Sequence, residues 1–164
     1  MIYLLLALLI LALLPFLVGL FIPKERTYTR THTFSSPVDS VFKVVTDVKA
    51  QPEWRPEVKA IEVLSSSPAE QKWREVLHKG PAITFRAKRK IHNKLFEIEI
   101  VESSFGGYWV GTFEPLNSGG TKVTFTETSI ISNPYMRTIS ALVIDLNETI
   151  KQYIVNLQKR LGEG

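Results

Sequence analysis

The 164-residue chain has no cysteine, which removes disulfides, thiol nucleophiles and cysteine-based metal sites together. It has only three histidines, His32, His78 and His92, with no His-x-x-x-His spacing, so neither a metal site nor a cofactor is expected. No Gly-x-Ser-x-Gly elbow occurs. The glycine clusters "FGGYWVG" and "NSGGTK" lack the strand-turn-helix setting of a phosphate loop and read as turns. Charge is short of any strong bias: 20 Lys and Arg face 16 Asp and Glu, a net +4. That mixture is too even to suggest nucleic acid.

Charge is missing altogether from "MIYLLLALLILALLPFLVGLFIP". At about 1.5 Å rise per residue, a helix of this length spans about 30 Å, the hydrocarbon thickness of a bilayer. Residues 1–23 are therefore expected to form a single-pass transmembrane anchor. The competing reading, a cleaved secretory signal, needs a small-x-small site that "VGLFIPKERT" does not offer. Lys24, Arg26 and Arg30 follow the run, so the positive-inside rule places the remainder on the cytoplasmic side of the membrane. Residues 24–27 read as a linker and 28–164 as one domain.

That domain opens with "TYTRTHTF", a strand by its alternation. In "SSPVDSVFKVVTDV", Ser36 is expected to cap a helix, Pro37 to take its first position and Asp39 to favour its dipole. Val38, Val41, Phe42 and Val45 then recur at helical spacing and mark a buried face. "KAQPEWRPEVKAIEVL" follows, with Pro52 and Pro56 fixing a turn and Trp54 between them. Trp54 is expected to fold back over one end of a groove, as core plug or as a ligand-contacting lid, while Glu53 and Arg55 stay in water.

A strand is expected from Glu57 onward, and further strands over 72–78, 83–92, 95–102, 108–114 and 122–131. Hairpin-length connections between them imply an antiparallel meander. Asn133 and Pro134 then start a helix whose stripe of Ile139, Leu142, Val143, Leu146, Ile150, Tyr153, Ile154 and Leu157 predicts one long amphipathic element. It closes with basic residues and Gly162.

The element order, together with "FSSPVDSVFKVVTDVKAQPEWRPEVKAIEVL" and "KWREVL", resembles the START/Bet v 1-like (SRPBCC) superfamily, and within it the polyketide cyclase/dehydrase and lipid-transport group. The resemblance covers roughly residues 28–161; its most specific part is Pro52, Glu53, Trp54 and Pro56 after the Ser36–Phe42 helix. It implies an α+β helix-grip fold, a curved antiparallel sheet of about seven strands around a long C-terminal helix, with two short helices after the first strand. It also implies a cavity between sheet and helix that takes a hydrophobic small molecule or lipid. Catalytic residues differ among subfamilies, so the resemblance carries none over.

Strand phase nominates the polar residues of such a cavity. Arg89 shares a phase with Ile83, Phe85, Ala87 and Ile91 and is expected to point inward. Glu75 alternates with Trp73 and Leu77, and Glu127 with Val123 and Phe125. A buried charge needs a partner, so Arg89 with Glu75 or Glu127 would mark either a structural ion pair or the cavity's polar end. Arg86, Lys88 and Lys90 are expected outside, facing Glu97 and Glu99. Candidate acid-base residues are Glu75, His78, Glu127 and Arg89; candidate ligand-contacting residues are Trp54, Trp73, Phe85, Arg89, Ile98, Tyr108, Phe125 and Val143.

Three functions fit: a membrane-anchored binding domain for a hydrophobic small molecule or lipid, a cyclase- or dehydratase-like enzyme, and an assembly module for membrane complexes with a collapsed cavity. The volume and lining of the cavity discriminate among them.

Overall fold

The computed structural model describes residues 2–67 and 70–163, with the backbone alone for 4–9 and 12. Helix α1 (Ile2–Phe21) precedes strand β1 (Glu25–Phe34), helix α2 (Val38–Thr46) and a 3₁₀ helix (Val48–Glu53). Six strands follow: β2 (Val58–Ser67), β3 (Glu70–Leu77), β4 (Ile83–Ile91), β5 (Leu95–Val101), β6 (Gly106–Pro115) and β7 (Thr121–Ile130). Helices α3 (Pro134–Val143) and α4 (Leu146–Leu161) end the chain. The strands form one antiparallel sheet in the order β1-β7-β6-β5-β4-β3-β2, a meander with the first strand returned to the last. This is the α+β helix-grip arrangement.

Strand β1 joins β7 by backbone bonds and by three threonine pairs on one face, Thr27 with Thr128, Thr29 with Thr126 and Thr31 with Thr124, each at 2.9 to 3.0 Å. The opposite face meets α4. Ile150, Ile154 and Leu157 of that helix pack with Phe34, Val41, Phe42, Val45, Trp73, Phe96, Phe113, Val123 and Phe125 into one buried core. Gly107 and Gly120 carry no side chain for a steric reason, since a Cβ would lie 2.4 Å from the Thr128 carbonyl oxygen or 2.5 Å from that of Phe34.

The structure corrects the sequence reading in four places. First, residues 1–23 are not supported as a transmembrane anchor: among the described residues, no helix is long and apolar enough to cross a membrane. The single-pass placement on the cytoplasmic side falls with it. The C-terminal half of α1 packs on α3 instead. Gly19 is buried where a Cβ would stand 1.9 Å from the Pro134 carbonyl oxygen. Thr138 donates to the Pro15 carbonyl at 2.6 Å, Arg137 to that of Ile22 at 2.8 Å, and Phe16 meets Tyr135 at 5.4 Å between ring centroids. One flank of α1 thus faces protein. Strand β1 begins at Glu25, inside the segment read as a linker.

Second, the C-terminal helix is broken. Ile144 and Asp145 are extended, and the Asp145 carboxylate accepts from the backbone of Asn147 at 2.9 Å and Glu148 at 3.2 Å, capping a new helix. An aspartate that satisfies free helix-start donors competes well with helix continuation. Leu142 and Val143, expected in the buried stripe, are consequently exposed at 81% and 71%.

Third, Ser36 does not cap α2. Its backbone N–H and hydroxyl both bind the Glu163 carboxylate, at 2.7 and 2.5 Å, tying the start of the domain to its end. Fourth, Arg89 does not point inward. The β4–β5 register shifts between Ala87 and Arg89, and an extra residue there reverses the alternation. Arg89 lies on the outer face with Lys88, both paired to Glu97, while Lys90 turns towards the rings of Phe42 at 5.9 Å and Phe96 at 5.8 Å.

Candidate functional site

A cavity of about 120 Å³ lies between the inner face of the sheet and α4. Its apolar wall comes from Val45, Phe85, Phe96, Ile98, Trp109 and Ile150. Strand alternation sends Phe85, Phe96, Ile98 and Trp109 inward, with Phe96 and Ile98 two apart on β5 and Trp109 paired with Ile98 across the β5–β6 ladder, while Val45 comes from α2 and Ile150 from α4. Trp109 stacks on Phe125 at 5.1 Å. Gly111, two residues along the same strand, leaves the space that the indole occupies: a Cβ there would lie 2.9 Å from the Trp109 ring.

The polar end is built by the turn after the 3₁₀ helix. The N–H groups of Trp54 and Arg55 both bind the Gln51 carbonyl, at 3.1 and 2.8 Å, and Val58 N–H binds that of Arg55 at 3.0 Å. This turn swings the Arg55 guanidinium over the groove. Arg55 donates to the Gln51 side chain at 2.6 Å, to Glu57 at 2.7 Å and to Glu75 at 3.2 Å, and lies 5.7 Å from the Tyr153 ring centroid. Burial opposes the charge of Arg55, but Glu75 and Glu57 outweigh it and hold the pKa above the ordinary value. Glu75, only 4% exposed in its side chain, also accepts from the Trp73 indole at 3.3 Å.

Glu127 stands apart from this network. It lies on β7 opposite Trp109 of β6, among the lining residues, and forms no hydrogen bond or ion pair among the described residues. Burial pushes its pKa up to about 7, against the pull of Arg55. Tyr153, reaching the cavity from α4, has its phenol pushed well above the usual range by burial, again against Arg55. The site therefore offers a hydrogen-bonded ion pair, a neutral phenol and one carboxyl that changes charge near neutral pH.

Of the residues expected from the sequence, Glu75, Glu127, Phe85 and Ile98 line the cavity. Trp54, Trp73 and Phe125 are buried behind it. Trp54 packs edge-on against Tyr153 at 5.2 Å, so it backs the wall from inside the core. His78 is exposed at the end of β3, Tyr108 bonds Glu25 at 3.2 Å, and Arg89 and Val143 lie elsewhere on the surface. Gln51, Arg55 and Tyr153 were not anticipated as site residues. Arg55, expected in water, is instead held over the cavity by the turn; its place before Pro56, which biases its backbone towards extended geometry, is the one local signal.

The model of the family described as polyketide cyclase/dehydrase and lipid transport matches residues 25–160. The chain belongs to this family. Solved structures of the same fold include a START superfamily protein from Mycobacterium smegmatis, 16% identical, with a TM-score of 0.65 over 84% of this chain and 97% of that one. The Zhui aromatase/cyclase from a Streptomyces species is 17% identical, with a TM-score of 0.62 over 85% of this chain and 93% of that one. A protein from Thermus thermophilus is 18% identical, with a TM-score of 0.69 over 82% of this chain and 96% of that one. At such identities the likeness is one of fold. No curated protein matches the chain.

Proposed function

We propose that this member of the polyketide cyclase/dehydrase and lipid transport family binds a small, largely apolar molecule in the cavity between sheet and α4. The observation that carries the reading is an unfilled space lined by aromatic and aliphatic side chains together with the Arg55–Glu75 pair and Glu127. Ligand sites of this kind combine a mostly apolar lining with a few convergent polar groups. An interior with room left in it favours a ligand over a collapsed assembly module.

Size narrows the ligand class. Sites for drug-sized molecules run to about 300–1,000 Å³, and an apolar cavity of about 150 Å³ accepts benzene. A space of about 120 Å³ suits a single ring or a short branched chain. Calorimetric titration with aromatic compounds of increasing size tests this. Single-ring compounds are expected to bind, two-ring analogues to bind more weakly, and Ile98→Phe to abolish both. Absence of binding throughout, with no small molecule retained in native mass spectrometry, would refute the reading.

A second reading, cyclase- or dehydratase-like catalysis, is favoured by Glu127. An unpaired carboxyl poised near neutrality in an apolar cleft is suited to taking and returning a proton. Here Glu127 would act on the bound molecule while Arg55 and Tyr153 stabilise developing negative charge. Turnover that survives Glu127→Gln undiminished would remove this reading and leave the binding one intact.

A further inference from the structure

The charged groups lining the cavity are unequal in number: three carboxylates, Glu57, Glu75 and Glu127, against the single guanidinium of Arg55. Arg55 is already engaged by Glu57, Glu75 and Gln51. Glu75 is shared between Arg55 and the Trp73 indole. Only Glu127 has its acceptor oxygens free among the described residues.

We infer that the ligand of this cavity is a cation, a small protonated amine on an aromatic or short apolar body, whose N–H donors bind Glu127. The inference rests on the ligand-binding reading above and adds the sign of the ligand's charge. An anionic ligand would find its one counter-charge already paired and would face three acids. A neutral one would leave the half-buried Glu127 without a partner whenever it is ionised, which is costly. A cation answers both objections, and an aromatic lining that includes Trp109, Phe85 and Phe96 is compatible with it.

The groups around Glu127 fix the pH dependence. Tyr28 stands opposite it on β1 with Arg30 two residues along, Trp109 is its register partner on β6, and Tyr153 of α4, Arg55 and Glu57 of the turn and Glu75 of β3 line the same cavity. With its pKa pushed up to about 7, Glu127 is mostly neutral at pH 6 and mostly ionised at pH 8. An amine that stays protonated across this range therefore binds more tightly at pH 8.

Calorimetry of the full chain with benzylamine, benzyl alcohol and benzoate, at pH 6 and pH 8, tests the inference. At pH 8 benzylamine is expected to bind about tenfold more tightly than benzyl alcohol, the effect of one charge-assisted hydrogen bond, with benzoate weakest. The preference for amine over alcohol should shrink at pH 6, and Glu127→Gln should bring it close to one at both pH values. Equal affinities for amine and alcohol at pH 8, or a preference for benzoate, would overturn the charge inference and leave the pocket reading standing. If none of the three binds, both fail. Should Glu127→Gln not fold, the pH series on the natural chain decides alone.

Discussion

Replacing Glu127 by glutamine should change how stability depends on pH, in a direction that follows from its surroundings. The folded chain holds this carboxyl at a pKa of about 7, raised from the ordinary 4.5 by burial. A raised carboxyl favours the fold in its neutral form, so its contribution is complete below about pH 4.5 and is lost as pH climbs through 7. At about 1.4 kcal/mol per pKa unit the full loss is about 3 kcal/mol, and partial access to water brings it nearer 2. Glutamine keeps the shape and stays neutral throughout. For a chain of this size each kcal/mol moves the melting temperature by roughly 2–4 °C. The Tm of Glu127→Gln minus that of the natural chain should therefore rise by about 4–8 °C between pH 5 and pH 8. Thermal melts followed by near-UV circular dichroism at pH 5, 6, 7 and 8 measure it, and taking the difference cancels every group that titrates in both proteins. Two curves that stay parallel would show that Glu127 is solvated, and the argument from its burial would be wrong.

Arg55→Met should cost about 3–5 kcal/mol in urea denaturation at neutral pH, because Glu75 is left buried with only the Trp73 indole. Adding Glu75→Leu should restore much of that loss; costs that simply add would mean the two residues do not act as a pair. Asp145→Ala should lower stability by about 1 kcal/mol through loss of the cap on α4. An unchanged urea midpoint would place the cause of the helix break in the packing of α3 on α1.

The strands were readable because each is an alternating run between glycine, proline or asparagine turns, and 83–92 and 95–102 fall within a residue of β4 and β5. The same alternation located Glu75 and Glu127 on the inner face. It failed at Arg89 because a bulge adds a residue to the phase without leaving a mark in composition: "RAKRK" reads smoothly through the shift. Strand phase also says nothing about residues in turns, which is why Arg55, aimed by the geometry between Pro52 and Pro56, was assigned to water. The break at Asp145 did have a signal, an aspartate followed three residues later by Glu148, but the apolar stripe on either side concealed it. Hydropathy alone could not register what Gly19, Thr138 and Arg137 do to α1, since their contacts join segments 115 to 123 residues apart.

The pairing of β1 with β7 bears on the order in which the chain is made. Its threonine pairs join residues 93 to 101 positions apart, so the first strand to leave the ribosome is bound by the last. At about 5–20 residues per second, β1 waits roughly 5 to 20 s for its partner. Throughout that interval it is an unpaired edge, the kind of surface that recruits other chains. Its composition suits the wait: "ERTYTRTHTF" carries Arg26, Arg30 and four threonines with a single phenylalanine, too polar and too charged to pair readily with its own copies. The strand that waits longest for its partner is thus one whose own composition discourages pairing with its copies.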